Sequence, residues 1–311
     1  MKIILLVLLV IVLALFAGAY IAFFFGVVRL QIKPDPGMSK WVKNYREEII
    51  AGADWFRAQQ PEKIEISSFD GLKLAGYFLP AENARGTLLL VHGYRSDLWC
   101  DFGIIYPYYH SLGFNILAIS QRTHSDSEGR YITFGIKERF DVRDWAVYLY
   151  DRFGPAHRVI LDGISMGSTS VLMSLGTKLP ENVCGVIADC GFTSPYDQFC
   201  HMFRARFHLP RHPLMDIAQI FTKHLAGFGY KDYSTLTALQ SSTLPVLFFH
   251  GLSDTFVPPR FSEENFAACR GEKKLITVPG AGHGGSYLID RVGCEAVLEE
   301  FFDKLAPKSN N

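Results

Sequence analysis

The apolar positions of the chain fall into three regimes. The first is unbroken: from Ile3 to Val28, 26 positions pass without a charged residue. At about 1.5 Å of rise per residue, a helix of that length crosses a hydrocarbon core of about 30 Å. The pattern predicts an N-terminal transmembrane anchor over residues 1–28. A cleaved signal peptide competes with it, because Lys2 precedes the apolar run and Ala17-Gly18-Ala19 has the small residues of a cleavage site. The run continues through Phe23, Phe24 and Phe25 to Val28, beyond the roughly 7 to 15 residues a secretory apolar region needs, which favours the uncleaved anchor. Lys2 stands against Arg29, Lys33, Lys40 and Lys43 on the other flank. The positive-inside rule then favours a cytoplasmic catalytic domain, the likeness to a signal peptide favours export, and the side stays open.

The second regime has helical spacing. Pro34-Asp35-Pro36-Gly37 breaks the chain, and Ser39 can cap a helix carrying Trp41, Tyr45, Ile49 and Ile50, then Trp55 and Phe56. Residues 29–61 read as a juxtamembrane linker and helix whose aromatics pack on the domain, with interfacial anchoring by Trp41 and Tyr45 as the alternative.

The third regime alternates short apolar runs with longer helical stretches. Ile64 and Ile66 alternate with polar residues, Asp70-Gly71 supplies a hairpin turn, and Leu72 to Leu79 returns, which predicts an antiparallel opening pair. Six nearly continuous apolar runs follow: Thr87 to Val91, Asn115 to Ile119, Val159 to Leu161, Val183 to Ala188, Leu244 to Phe249 and Leu275 to Val278. Such runs are strands buried on both faces. Helices are predicted over Ile136 to Phe153, Ser168 to Leu179 and Tyr287 to Leu305. The alternation predicts an α/β fold with a mostly parallel, eight-stranded sheet flanked by helices. Residues 191–242, between the sixth and seventh strands, are too long for a plain crossover and read as a helical cap. They divide the core into residues 62–190 and 243–311.

Composition changes this picture little. With 311 residues, 49% of them hydrophobic, the chain can bury one sizeable core. Lys plus Arg and Asp plus Glu both number 31, so no net field attracts polyanions and nucleic acid is not an expected partner. Cysteines at 100, 184, 190, 200, 269 and 294 show no paired metal-binding spacing and read as buried small hydrophobes.

The candidate chemistry begins at Gly163-Ile164-Ser165-Met166-Gly167. A G-x-S-x-G match is short, and its position decides its meaning. Here it falls between a predicted strand and a predicted helix, where the glycines allow a strained turn that exposes the serine hydroxyl at the sheet edge. A serine hydroxyl needs a base to act as a nucleophile at neutral pH. His283, in Gly280-Ala281-Gly282-His283-Gly284-Gly285, follows the last strand and is the candidate base. The imidazole in turn needs an acid to fix its tautomer. Asp254, just past the seventh strand, is favoured over Asp189 at the end of the sixth. The oxyanion of a tetrahedral intermediate needs donors. The backbone N–H of Met166, after the nucleophile, and that of Tyr94, in Val91-His92-Gly93-Tyr94-Arg95-Ser96, are the candidates. His92 reads as a structural hydrogen bonder.

These four ordered motifs resemble the α/β-hydrolase superfamily over roughly residues 62 to 305. Within it the chain is similar to bacterial membrane-anchored serine hydrolases related to monoacylglycerol lipases, acyl-thioester hydrolases and serine aminopeptidases. After the fourth strand many such relatives carry Asp-x-Arg-Gly-His-Gly-x-Ser, whereas this chain has Ser120-Gln121-Arg122-Thr123-His124-Ser125-Asp126-Ser127. Arg122, His124 and Ser127 are kept, and the loop's residues are expected to be structural.

The expected activity is cleavage of carboxylic esters or thioesters, including lipid esters, through an acyl-enzyme on Ser165, with no metal or organic cofactor. Partners are a small-molecule ester, thioester or lipid substrate and the membrane; oligomeric state is left open. A peptidase of the same fold is the alternative, disfavoured because no acidic cluster for a free α-amino group is evident in the sequence. A noncatalytic membrane-associated binding module is the reading from another class. In the cap, His201, Arg204, Arg206, His208, Arg211 and His212 form a basic tract interleaved with Phe203, Phe207 and Leu209. The tract is either a solvated helix face or a surface for anionic head groups.

Overall fold

The computed structural model describes residues 1–30, 42–208 and 211–306. Lys33, Pro34 to Gly37, Ser39, Lys40, Trp41 and Leu209, singled out above, lie outside the described residues.

The first helix, α1 (Lys2–Val27), is followed by α2 (Arg46–Ala58). The helical spacing predicted for this second segment is present, but α2 begins at Arg46, after a 3-10 turn over Lys43–Tyr45. The opening pair is β1 (Glu62–Ser67) and β2 (Lys73–Leu79), antiparallel across a turn where Gly71 has φ of 84°. Then come β3 (Thr87–Val91), the short helices α3 (Leu98–Asp101) and α4 (Tyr106–Ser111), β4 (Asn115–Ile119), α5 (Glu138–Phe153), β5 (Val159–Ile164), α6 (Met166–Ser174) and β6 (Val183–Asp189). Between β6 and β7 (Val246–Gly251) lie α7 (Pro195–Phe207), α8 (Leu214–Phe221), a wide turn over Thr222–Ala226, and α9 (Thr235–Ser241). The chain ends with α10 (Arg260–Ala268), β8 (Lys273–Val278), α11 (Ser286–Ile289) and α12 (Arg291–Lys304).

The eight strands form one sheet in the order β1-β2-β4-β3-β5-β6-β7-β8, with every pair from β4 to β8 parallel. Two predicted helices differ. The one expected over Tyr287 to Leu305 is broken at Asp290, whose carboxylate accepts from Gly293 N–H at 3.0 Å and caps α12. The one expected over Ser168 to Leu179 stops at Ser174, and the Tyr233 hydroxyl crowds Gly176 just beyond.

The sheet is buried on both faces because β3 and β4 carry almost nothing that needs water: all of their residues are buried. One face packs on α5, α6, α9 and α10 around Trp145, Leu149, Val171 and Leu172. The other packs on α2, α4 and α12 around Phe56, Tyr106, Leu298 and Phe302. Fully burying a side chain of this size contributes about 1.5–3 kcal/mol. A third apolar cluster joins the last turns of α1, through Ala19, Phe23 and Val27, to Met215 and Ala218 of α8 and to Phe134 and Phe192. These clusters hold the C-terminal ends of β3, β5, β6 and β7 together, and that edge carries the site.

Candidate active site

Ser165 sits between β5 and α6 with φ of 57° and ψ of −116°, a conformation costly for a residue with a side chain. Its neighbours show why glycines flank it. A Cβ on Gly167 would lie 1.8 Å from the Val91 carbonyl oxygen, and one on Gly163 would lie 2.4 Å from the Gly167 carbonyl carbon. The turn is also held by Ser165 N–H donating to the Asp189 carbonyl at 2.8 Å.

His283 stands over this turn on the loop between β8 and α11. Its Nε2 lies 2.9 Å from Ser165 Oγ, and its Nδ1 lies 2.7 Å from Asp254 Oδ2. With Nδ1–H donated to the carboxylate, Nε2 is left to accept the serine proton. Burial disfavours the imidazolium, but the hydrogen bond and charge of Asp254 outweigh it, so the His283 pKa lies above the ordinary 6.5. Asp254 is buried, and burial would raise its pKa. Hydrogen bonds from His250 and His283, and N–H donors from Phe256 and Val257 at 2.9 Å, instead hold it well below the usual carboxylate range. Asp189 makes no hydrogen bond to His283; its Oδ1 accepts from Ser286 Oγ at 3.4 Å.

The loop after β3 is fastened at four successive residues. Gly93 N–H and Ser96 O–H both donate to Asp101, at 2.6 and 2.5 Å. Arg95 N–H donates to His124 Nε2 at 3.0 Å, and Tyr94 O–H donates to the Gly26 carbonyl of α1 at 2.9 Å. Among the described residues, neither Tyr94 N–H nor Met166 N–H donates to a protein acceptor. Gly93 is close enough to the turn after β5 that a Cβ there would lie 3.3 Å from Ser165 Cβ. His92 is buried, donates through Nδ1 to the Gly93 carbonyl and accepts Gln121 N–H; burial lowers its pKa to about 3, so it is neutral. The altered loop after β4 keeps its tethers: Arg122 bonds Asp141 and Asp70, and Ser127 Oγ bonds Ser120 O and Ala75 N–H.

A cavity of about 590 Å³ opens onto Ser165 and His283. Much of its wall is apolar, with Ile49, Phe102, Ile105, Phe249, Leu288 and Leu298, and Arg206 of α7 also lines it. The cavity wall also carries carboxyl groups. Asp101, Asp162 and Asp189 all face this cavity, brought together from α3, β5 and β6. Burial pushes Asp101 up to about 6 and Asp162 up to about 7, and it raises Asp189 as well. Tyr109 O–H donates to Asp162 at 2.8 Å. Sequence reading missed Asp162, although an aspartate inside the run Val159-Ile160-Leu161-Asp162 of a strand buried on both faces is a signal for function or pairing.

Donor atoms of Cys190, Asp254 and His283 lie within 4.8 Å of one another. They do not suit a metal: burial holds the Cys190 thiol protonated, and His283 Nδ1 is committed to Asp254.

The sheet order and the strained turn at Ser165 define the class, an α/β hydrolase of the serine hydrolase superfamily. Within it the chain belongs to the prolyl oligopeptidase family, Peptidase_S9, whose profile matches residues 98–308. It is 27% identical to the Bacillus subtilis protein YqkD over 84% of this chain and 86% of that protein. It is 24% identical to the Schizosaccharomyces pombe protein bem46 over 77% and 76% of the two chains. Among solved structures, the Pyrococcus furiosus esterase Pf2001 superposes with a TM-score of 0.64 at 23% identity, covering 81% of this chain and 94% of that one. The Pyrococcus horikoshii acylaminoacyl peptidase superposes with a TM-score of 0.60 at 18% identity, covering 81% of this chain and 42% of that one. At those identities the likeness concerns the fold.

Proposed function

We propose that the protein is a membrane-anchored serine hydrolase that cleaves carboxylic esters or thioesters, lipid esters among them, through an acyl-enzyme on Ser165. The observation that carries this reading is the chain of contacts from Ser165 Oγ through His283 to Asp254 at the mouth of a largely apolar cavity. His283 Nε2 takes the Ser165 proton as Oγ bonds the acyl carbon. The carbonyl oxygen becomes an oxyanion, for which Tyr94 N–H and Met166 N–H are the proposed donors. Collapse expels the alcohol or thiol, which leaves with the proton from His283, and water repeats the cycle to free the acid. Asp254 orients the imidazole and balances its charge. The anchor reading is supported by α1, a 26-residue apolar helix exposed at every residue up to Ala14.

The experiment is labelling by a fluorophosphonate, with Ser165→Ala as the control. Only a serine beside a working base reacts fast, so absence of Ser165-dependent labelling in the folded protein would leave the binding-module reading. A panel of p-nitrophenyl esters, acyl thioesters and aminoacyl amides then separates the substrate classes.

One observation favours a second reading, hydrolysis of aminoacyl or peptidyl substrates carrying a cation. Asp101, Asp162 and Asp189 line the cavity, and an ammonium group seated beside them would favour their ionised forms. Faster turnover of a free-amino aminoacyl ester than of its N-acetyl counterpart would support it.

A further inference from the structure

The exposed apolar surface of α1 continues past the point where the helix docks on the domain. The face of α1 turned to the domain begins at Leu15 and continues through Ala19, Phe23 and Val27. Phe221, at the end of α8, packs against it, with ring centroids 6.3 Å from Phe16, 5.4 Å from Tyr20 and 6.1 Å from Phe23. On the turns that follow Leu15, Phe16, Ile21, Phe24 and Phe25 stay exposed while Ala19 and Phe23 are buried. The apolar surface that a bilayer would cover therefore runs on along the same turns of α1 that Phe221 packs against.

We propose that α8 and the turn Thr222–Ala226 lie in the near leaflet of the bilayer that α1 crosses, so that the cavity takes its substrate directly from lipid. The inference rests on the anchor reading above. Two exposed side chains beside the docked face fit this position: Ile220 is 45% exposed and Leu225 is 47% exposed. Apolar side chains are exposed elsewhere too, as at Val292, but Ile220 adjoins Phe221, which packs on the exposed apolar helix α1, where a leaflet would cover it. Lys223 is exposed in the same turn as Leu225, where its long stem can carry the ammonium group to the head-group level. The rim of the cavity is tied to the same end of α1. Tyr94 and Arg95 line the cavity, and they donate to the carbonyls of Gly26 and Phe25. A mouth held one side chain from the end of a membrane helix opens at the membrane surface.

The test uses the full chain in vesicles of phosphatidylethanolamine and phosphatidylglycerol, with a fluorescent amino acid placed singly at Leu9, Ile220, Leu225 or Val292 and acyl chains brominated as quencher. Val292, 80% exposed on α12, reports a solvated face. Quenching at Leu9, Ile220 and Leu225 about twofold or more above that at Val292 is expected for side chains within the acyl region. Quenching at Leu9 with Ile220 and Leu225 no different from Val292 overturns the placement while leaving the anchor. No quenching at Leu9 removes the anchor, and this inference with it. A functional arm uses Ile220→Asp with Leu225→Asp: about tenfold slower turnover of a long-chain ester held in vesicles, with unchanged turnover of p-nitrophenyl acetate in solution, is expected from the cost of charge in the leaflet. Equal turnover of the vesicle-bound ester by variant and parent overturns uptake from lipid.

Discussion

Tyr94 donates its hydroxyl proton to the carbonyl of Gly26 over 2.9 Å, joining the loop proposed to hold the oxyanion to the last turn of α1. Tyr94→Phe keeps the backbone N–H and removes only this tether. A hydrogen bond of this kind contributes about 0.5–1.5 kcal/mol, so kcat should fall by up to about tenfold with KM little changed, measured on a soluble ester. An unchanged kcat would mean that Asp101, His124 and the Arg95 bond to the Phe25 carbonyl hold the loop without the Tyr94 tether.

Asp254→Asn should lower kcat by about four orders of magnitude, because an amide facing His283 Nδ1 favours the wrong tautomer. Asp189→Asn should cost far less, since Asp189 has no hydrogen bond to the imidazole. Steady-state kinetics with circular dichroism as the folding control checks both; the opposite ranking would move the acid to β6.

The pH profile with a neutral ester should have one acid limb. His283 must be neutral to accept the serine proton, and its pKa lies above 6.5, so kcat/KM should rise with pH through a midpoint above that value. Asp254, held below the usual carboxylate range, stays ionised across the profile. A midpoint well below 6.5 would show that Asp254 does not stabilise the imidazolium.

Asp162 should penalise stability at alkaline pH. Its folded pKa of about 7 lies above the unfolded value near 3.9, so the folded state holds its proton more tightly. The stability from this proton is fully present below the unfolded value and is lost as pH rises through about 7. Asp162→Asn should therefore raise the melting temperature more at pH 8.5 than at pH 5. If a cationic substrate is used, its preference over the neutral analogue should grow as Asp162 ionises, and Asp162→Asn should abolish that growth.

Gly167→Ala should prevent the elbow from closing, since the added Cβ would meet the Val91 carbonyl at 1.8 Å and that oxygen belongs to the buried sheet. Overpacking against a rigid partner costs about 1–3 kcal/mol or more. Thermal melting should show the loss, and a variant as stable as the parent would contradict the close approach of α6 to β3.

Much of the architecture is determined by the sequence alone, and the reason is periodicity. Runs such as Thr87 to Val91 and Asn115 to Ile119 can be satisfied only by strands with both faces covered, and Asp70-Gly71 can be satisfied by a turn. Chain order along such a sheet also names Ser165, Asp254 and His283 as residues that could meet, because each follows a strand at one edge. Local pattern failed where a single side chain ended a helix, as Asp290 does before α12. Tertiary structure decided what no spacing encodes. Ser165 and His283 stand 118 residues apart and meet at 2.9 Å, while Asp101, Asp162 and Asp189 reach one cavity from three elements. A sequence records which strands are buried, but the walls of a cavity come from side chains on different strands and helices, and only packing in three dimensions selects them. The docking of α1 on α8 is of the same kind: an apolar helix carries no mark of where its neighbour begins, and ring contacts at Phe221 set that depth.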